Sequence, residues 1–270
     1  MTTENYASYK EERDLVLEYN QVSLDDARVE NILGVGVDNL TRAQAVVRIL
    51  RMIKQGGVHH VLLLNPFKLM RIRISRDLSV ISNQADMRLA SGAGIGCASA
   101  ILKRKLKERI STLSFMMDII RIAEIKEYSI FIVGGKPEIT ERVYNNIKKS
   151  FPAIRIVGRH GGYFNESREK SVIEAMRKSE ADIIFVGLGF PKEDKWIGKI
   201  RNEFSNTVFV GVGGYLDVIS GEIRKAPNFF MERDLDWFYR TITRPWRIHR
   251  LILVGVFYLQ ALLKRIFGRL

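Results

Sequence analysis

Five stretches of this sequence hold residue types that could do chemistry. Residues 88–96, RLASGAGIG, set three glycines and small side chains ahead of an apolar residue, as a phosphate-binding turn begins, yet position 91 is a serine where an acid often stands. In FIVGGKPE, Gly134 and Gly135 could offer backbone N–H groups and a helix N-terminus to a diphosphate, or form an ordinary strand-to-helix turn. In VGLGFPKED, Gly187 and Gly189 precede Pro191, which can start a helix with Glu193 and Asp194 in its first turn. Acids there favour the helix dipole or face a ligand. In VGVGGYLDVISG, Gly213 and Gly214 let a ligand meet the backbone. Asp217 then accepts hydrogen bonds from a ribose or a base, or caps the next helix. Arg240, Arg247 and Arg250 recur at spacings of seven and three, roughly one face of a helix. Guanidinium forks bind diphosphates bidentately, although a solvated basic face uses the same pattern.

Such residues need a scaffold, and 270 residues with 46% hydrophobic content can bury a substantial core. The net charge of +13 implies an anionic partner: nucleic acid, an acidic membrane surface or a phosphorylated substrate. No nucleic-acid-binding motif is present, so nucleic acid is not expected. The single Cys97 rules out an internal disulfide, and four scattered histidines show no zinc-ligand spacing, so no metal is expected. The first twenty residues have no apolar core of a secretory signal. Charge is uneven, with ten Lys and Arg against three acids in residues 224–270.

From residue 31 a strand–helix alternation sets in. NILGVGVDNL reads as a strand and turn, and TRAQAVVRILRMIKQ as a helix capped by Thr41. HHVLLLNP is a buried strand stopped by Asn65-Pro66. Helices are expected around 67–83, near 93–103 and over 112–126. Strands follow in YSIFIVGG, IRIVGRH, ADIIFVG and TVFVGVG, the first three each leading to a helix. This predicts an α/β fold: a Rossmann-like, mostly parallel sheet covered by helices, with a C-terminal basic amphipathic helical appendage. Ligands in such sheets bind past the carboxyl ends of the strands, where the glycine turns fall. The expected units are an N-terminal extension over 1–30, a core over 31–227 and an arginine-rich appendage over 228–270. Within the appendage only Leu251–Leu259 is unbroken apolar sequence, short of the roughly 20 residues that span a bilayer. Its basic flanks suit a helix lying in the headgroups of an anionic leaflet. A core helix or a homo-oligomer interface is the alternative.

Taken together, VGLGFPKEDKW, VGVGGYLDVISGEIRKAP and LDWFYRTITRPWRIHR resemble elements of the WecG/TagA/CpsF family of bacterial glycosyltransferases, in order, within a likeness running from about Ile32 to Arg250. The resemblance implies a peripheral enzyme on the cytoplasmic face of the plasma membrane, working without metal or other cofactor. It would move N-acetylmannosamine or a related hexose from a UDP-sugar to a polyprenyl-diphosphate-linked acceptor in cell-surface polysaccharide synthesis. It also implies that Arg240, Arg247 and Arg250 close over the diphosphate and that the Gly213–Asp217 loop meets the nucleotide. Asn65 and Arg109 are kept. Ser91 stands where the family's proposed general base, an Asp, is usual, and a neutral hydroxyl cannot take up a proton as a carboxylate does. Leu63 replaces a frequent Thr, Ser114 a frequent Asp, Asp194 the usual Glu and Glu193 the usual Gln. Three explanations follow. The chain is an active transferase with another base, Glu193 being the nearest candidate. Or it is a catalytically silent relative that binds nucleotide-sugar, lipid carrier or a partner enzyme. Or Ser91 is an engineered change, which the other departures argue against.

Overall fold

In the computed structural model, residues 21–223 and 249–268 are described, together with the single positions 19, 227, 229, 230 and 239. The strands are β1 (Arg28–Ile32), β2 (Val35–Asn39), β3 (Val58–Leu64), β4 (Met87–Ala90), β5 (Ser129–Gly134), β6 (Arg155–His160), β7 (Ile183–Gly187) and β8 (Thr207–Gly211), of which β3, β5, β7 and β8 are short, mostly buried apolar runs. Amphipathic segments between them form α1 (Arg42–Gln55), α2 (Pro66–Ile74), α3 (Arg76–Gln84), α4 (Ala93–Ile101), α5 (Thr112–Ile125), α6 (Pro137–Ser150), α7 (Glu166–Lys178), α8 (Lys192–Ile200) and α9 (Tyr215–Ile219). The last described helix is α10 (His249–Phe267).

The strands make one sheet in the order β1-β2-β4-β3-β8-β7-β5-β6. Only β1 and β2 pair antiparallel; every other pairing is parallel. The carboxyl ends of β2 to β8 therefore share one edge. Side chains alternate between the two faces. Leu63, Val61, Ile132, Phe185 and Val210 pack beneath α1, α5 and α6. Leu62 and Leu64 face α2, α3, α4 and α10, whereas Val133, Val186 and Phe209 face α7 and α8. The sheet is thus covered on both faces, as an α/β reading requires.

Local rules account for much of this. Thr41 caps α1 by accepting from Gln44 N, and the Gln44 side chain returns to Thr41 N. Asn65 and Asn165 cap α2 and α7 through their side chains. Three expectations are corrected. The helix around 67–83 is two helices, because Ser75 takes extended backbone at φ −121°. Strand β1 begins at Arg28, inside the stretch read as an extension. Strand β4, whose register is set by Leu63↔Leu89 and Leu64↔Ala90, has no counterpart in the sequence reading. Helix α10 docks on α2 and α4 and buries Val254, Phe257 and Ala261. Among the described residues no helix is long and apolar enough to cross a membrane.

Candidate active site

The crossover from β5 runs outward to β6, and the crossover from β7 runs inward to β8. The carboxyl ends of β5 and β7 therefore flank a crevice at a point where chain direction reverses, the place where open α/β sheets bind ligands. Their backbones touch there. A Cβ on Gly134 would lie 2.5 Å from Gly187 O, so no side chain fits. Gly135 N donates to Gly187 O at 3.3 Å, and Gly162 N donates to Gly135 O at 2.7 Å. A Cβ on Gly187 would lie 3.0 Å from Gly213 O. Asp217 Oδ1 is 4.0 Å from the Cβ position of Gly135, and its Oδ2 is 3.5 Å from that of Gly214. Gly134, Gly135, Gly187, Gly213, Gly214 and Asp217 thus form one continuous lip. These glycines are there for close approach. The Gly135 N–H is already given to a carbonyl, and α6 opens with Pro137 and Glu138, which suit an anion poorly.

Glu193 is fully buried at the start of α8. Its Oε1 accepts from Lys68 Nζ at 2.8 Å, and its Oε2 accepts from Gly213 N at 2.8 Å and Gly189 N at 3.2 Å. One carboxylate therefore pins the β7 and β8 turns to α2. Lys68 Nζ also lies 3.4 Å from Asp194 Oδ2, and Asp194 Oδ1 lies 3.6 Å from His60 Nε2. Burial works against the Lys68 charge, but Asp194 and Glu193 outweigh it and hold the ammonium above lysine's ordinary range. Burial pushes the Glu193 carboxyl up; Lys68 offsets part of that, and Asp194 adds to the rise. Burial also acts on Asp194, where Lys68 and then His60 prevail and keep it below the carboxylate range. Sequence reasoning missed Lys68. Its one signal is a lysine among apolar positions of PFKLMRI, three residues after Asn65.

The turns after β3 and β4 hold Asn65 and Ser91. Ser91 N donates to Leu64 O at 2.6 Å, and Ser91 is bridged to Ile110. Ser91 is buried, and its Oγ lies 2.6 Å from Thr112 Oγ1. Asn65 Oδ1 accepts from Lys68 N, so its amide nitrogen side faces away from the cap. Gly94 lets α4 press against Pro66, where a Cβ would sit 2.3 Å from Pro66 Cγ. Gly96 packs under the side chain of Arg109, with Cδ 2.7 Å from the Cβ position. Arg109 borders an open cavity of about 550 Å³, together with Cys97, Lys103, Lys105 and Lys107. Asn65 and Ser91 are one strand spacing apart, about 5 Å. Ser91 and the Gly134 lip are four strand spacings apart along the edge. Arg240 and Arg247 lie outside the described residues, as does the Arg250 side chain, although Arg250 itself is in the first turn of α10.

The chain matches the family described as Glycosyl transferase WecG/TagA/CpsF over residues 30–270. Among curated proteins it is similar to N-acetylglucosaminyldiphosphoundecaprenol N-acetyl-beta-D-mannosaminyltransferase of Staphylococcus aureus strains NCTC 8325 / PS 47 and COL. It is 31% identical to each over 229 residues, which cover 84% of this chain and 89% of the relative. The counterpart in strain MRSA252 matches with the same identity and coverage. By these matches, and by the sheet that carries its glycine turns, the chain belongs to the WecG/TagA/CpsF family of glycosyl transferases.

Proposed function

We propose that this protein is a membrane-surface hexosyltransferase that moves N-acetylmannosamine or a related hexose from a UDP-sugar to a polyprenyl-diphosphate-linked glycan. The observation that carries this reading is the junction of the two ends of the site. The β5, β7 and β8 turns form a lip at the chain-reversal point, and Lys68–Glu193 joins that lip to the Asn65–Ser91 end. The nucleotide would lie along the lip, with Asp217 near the ribose or base. The acceptor would enter past Asn65, Ser91 and Arg109. Its hydroxyl attacks the anomeric carbon, the bond to UDP breaks, the hydroxyl proton leaves to water or to a departing diphosphate oxygen, and that diphosphate carries the charge that Arg240, Arg247 and Arg250 would meet. The S. aureus relatives, whose name gives a diphosphoundecaprenol-linked N-acetylglucosamine as acceptor, support this substrate class.

Glu193 acts here as a strut. Its oxygens are already taken by Lys68 and two backbone N–H groups, so the acceptor proton does not go to it. Ser91 and Thr112 orient the acceptor, and rate comes from positioning and charge stabilisation. Loss of a general base costs about 10²–10⁴ in rate, so turnover is slow. The outer row of α10 (Ile252, Val256, Leu259, Leu262, Ile266, Phe267) is exposed and apolar. A peripheral seat on the cytoplasmic face of the membrane would cover it.

The test is transfer of radiolabelled sugar from a panel of UDP-sugars, including UDP-N-acetylmannosamine, to N-acetylglucosamine linked to undecaprenyl diphosphate. Labelled product is expected together with UDP binding. UDP binding with no transfer from any donor would move the protein to the second reading, a silent relative that binds nucleotide-sugar or lipid carrier. The buried Ser91–Thr112 hydroxyl pair, which contains no ionisable group, favours that reading. Absence of UDP binding would remove the transferase reading and leave only a silent relative that binds lipid carrier or a partner enzyme.

A further inference from the structure

Seating α10 on a membrane leaves one group of cations without a role. Where α10 ends, it lies beside the end of α4 and the β1–β2 turn. The space between them is an open cavity of about 550 Å³, lined by Lys103, Arg104, Lys264 and Arg265 with Asn31 and Gly34. No carboxylate is among its described lining residues. Glu30 approaches Arg104 only at 3.9 Å, and the Arg104 side chain is 58% exposed. Arg265 is fixed across the opening by donating from Nη1 to Ile101 O at 2.8 Å.

Two helices end here, and each C-terminus attracts a cation through roughly half a negative charge. Among the described residues, that leaves most of four positive charges unbalanced around one opening. Lys103 is held there against its backbone preference. Its φ is +55°, the left-handed region, at the position after α4 where glycine is usual. The turn that holds it is closed by Arg104 N donating to Ser99 O at 2.7 Å. The cavity also adjoins the end of the exposed apolar row, where Ile266 and Phe267 are 61% and 69% exposed. Cations beside an apolar strip match the two ends of a phospholipid: a phosphate in the cavity and acyl chains along α10.

We infer that this cavity is a headgroup site for anionic phospholipid, and that the core loop Lys103–Arg104 reads membrane charge jointly with the appendage. The inference rests on the proposed membrane seat of α10. Its test is flotation of the full chain with phosphatidylcholine vesicles, with and without phosphatidylglycerol. A Lys103→Gly/Arg104→Gln variant relieves the left-handed lysine and keeps the fold, which its melting temperature checks. It is expected to bind phosphatidylglycerol vesicles roughly 30-fold more weakly, at about 1 kcal/mol per basic residue near an anionic surface. Its binding to pure phosphatidylcholine should not change. A Lys126→Gln/Lys149→Gln variant, neutralised at exposed lysines after α5 and at the end of α6, should lose far less. An Ile266→Ser/Phe267→Ser variant should lose both kinds of vesicle. Unchanged phosphatidylglycerol binding by the first variant, or equal loss by the second, overturns the headgroup site while leaving the membrane seat intact. If the unaltered chain floats with neither vesicle, the membrane seat itself fails, and the headgroup site with it.

Discussion

At the carboxyl ends of β5, β7 and β8, backbone meets backbone, and one buried carboxylate ties two turns to a distant helix. At the ends of β3 and β4 side chains make many of the close contacts: a serine against a threonine, an asparagine on its own helix cap, an arginine lying over Gly96. The first region tolerates least change of shape at Gly134, whose neighbours are main-chain atoms that cannot move aside. This contrast separates a lip whose shape is set by backbone from an end, holding Ser91, whose character is set by its side chains. Glu193 is a side chain set into the backbone-built region: its carboxylate would be costly if buried alone, and Lys68 neutralises it.

The largest effect should come from cutting the strut. Lys68→Met leaves Glu193 and Asp194 buried without their cation, and removing one partner of a buried pair costs about 3–5 kcal/mol. Urea unfolding at neutral pH measures this. The pH dependence has a definite sign. Because the Lys68 ammonium is held above its ordinary value of 10.5, its stabilisation is present in full below that pH. It is lost as pH rises through the folded value, and the variant should lack this alkaline decline. A drop under about 1 kcal/mol would mean that Lys68 does not hold the two turns.

A smaller loss is expected from Gly134→Ala. Its methyl would lie 2.5 Å from Gly187 O and force the β5 and β7 turns apart. Overpacking of this kind costs about 1–3 kcal/mol, and UDP affinity by calorimetry should fall with it. Glu193→Gln should also cost about 1–3 kcal/mol by urea unfolding, since Lys68 retains Asp194 but the amide NH2 faces either Lys68 or the Gly189 and Gly213 N–H groups and leaves donors unpaired. Turnover should persist in this variant. A fall of about 10²–10⁴ would identify Glu193 as a base instead of a strut.

Much of the architecture was legible because it is locally encoded. Apolar runs closed by Gly134-Gly135 or Asn65-Pro66 mark strand ends, and Thr41 with Gln44 marks the start of α1. Strand β4 was hidden because MRLA is four residues long and contains an arginine. Its place is fixed from outside, where Asp38 Oδ2 accepts from Arg88 N at 2.7 Å. The break at Ser75 was equally silent in an apolar pattern that runs through it. Within the site, the glycines and Asp217 announce themselves by composition. Lys68 and Thr112 do not, because their meaning depends on Glu193, 125 residues away, and on Ser91, 21 residues away.

The contrast between the glycine lip and a neutral hydroxyl at position 91 is tested most directly by Ser91→Asp. Turnover at saturating UDP-sugar and acceptor should be compared with UDP affinity in the same preparations. A gain of about 10²–10⁴ in kcat with UDP affinity unchanged is predicted, since only the proton acceptor has been added. Equal kcat in both proteins would contradict the account, because proton uptake at position 91 would then not limit the reaction.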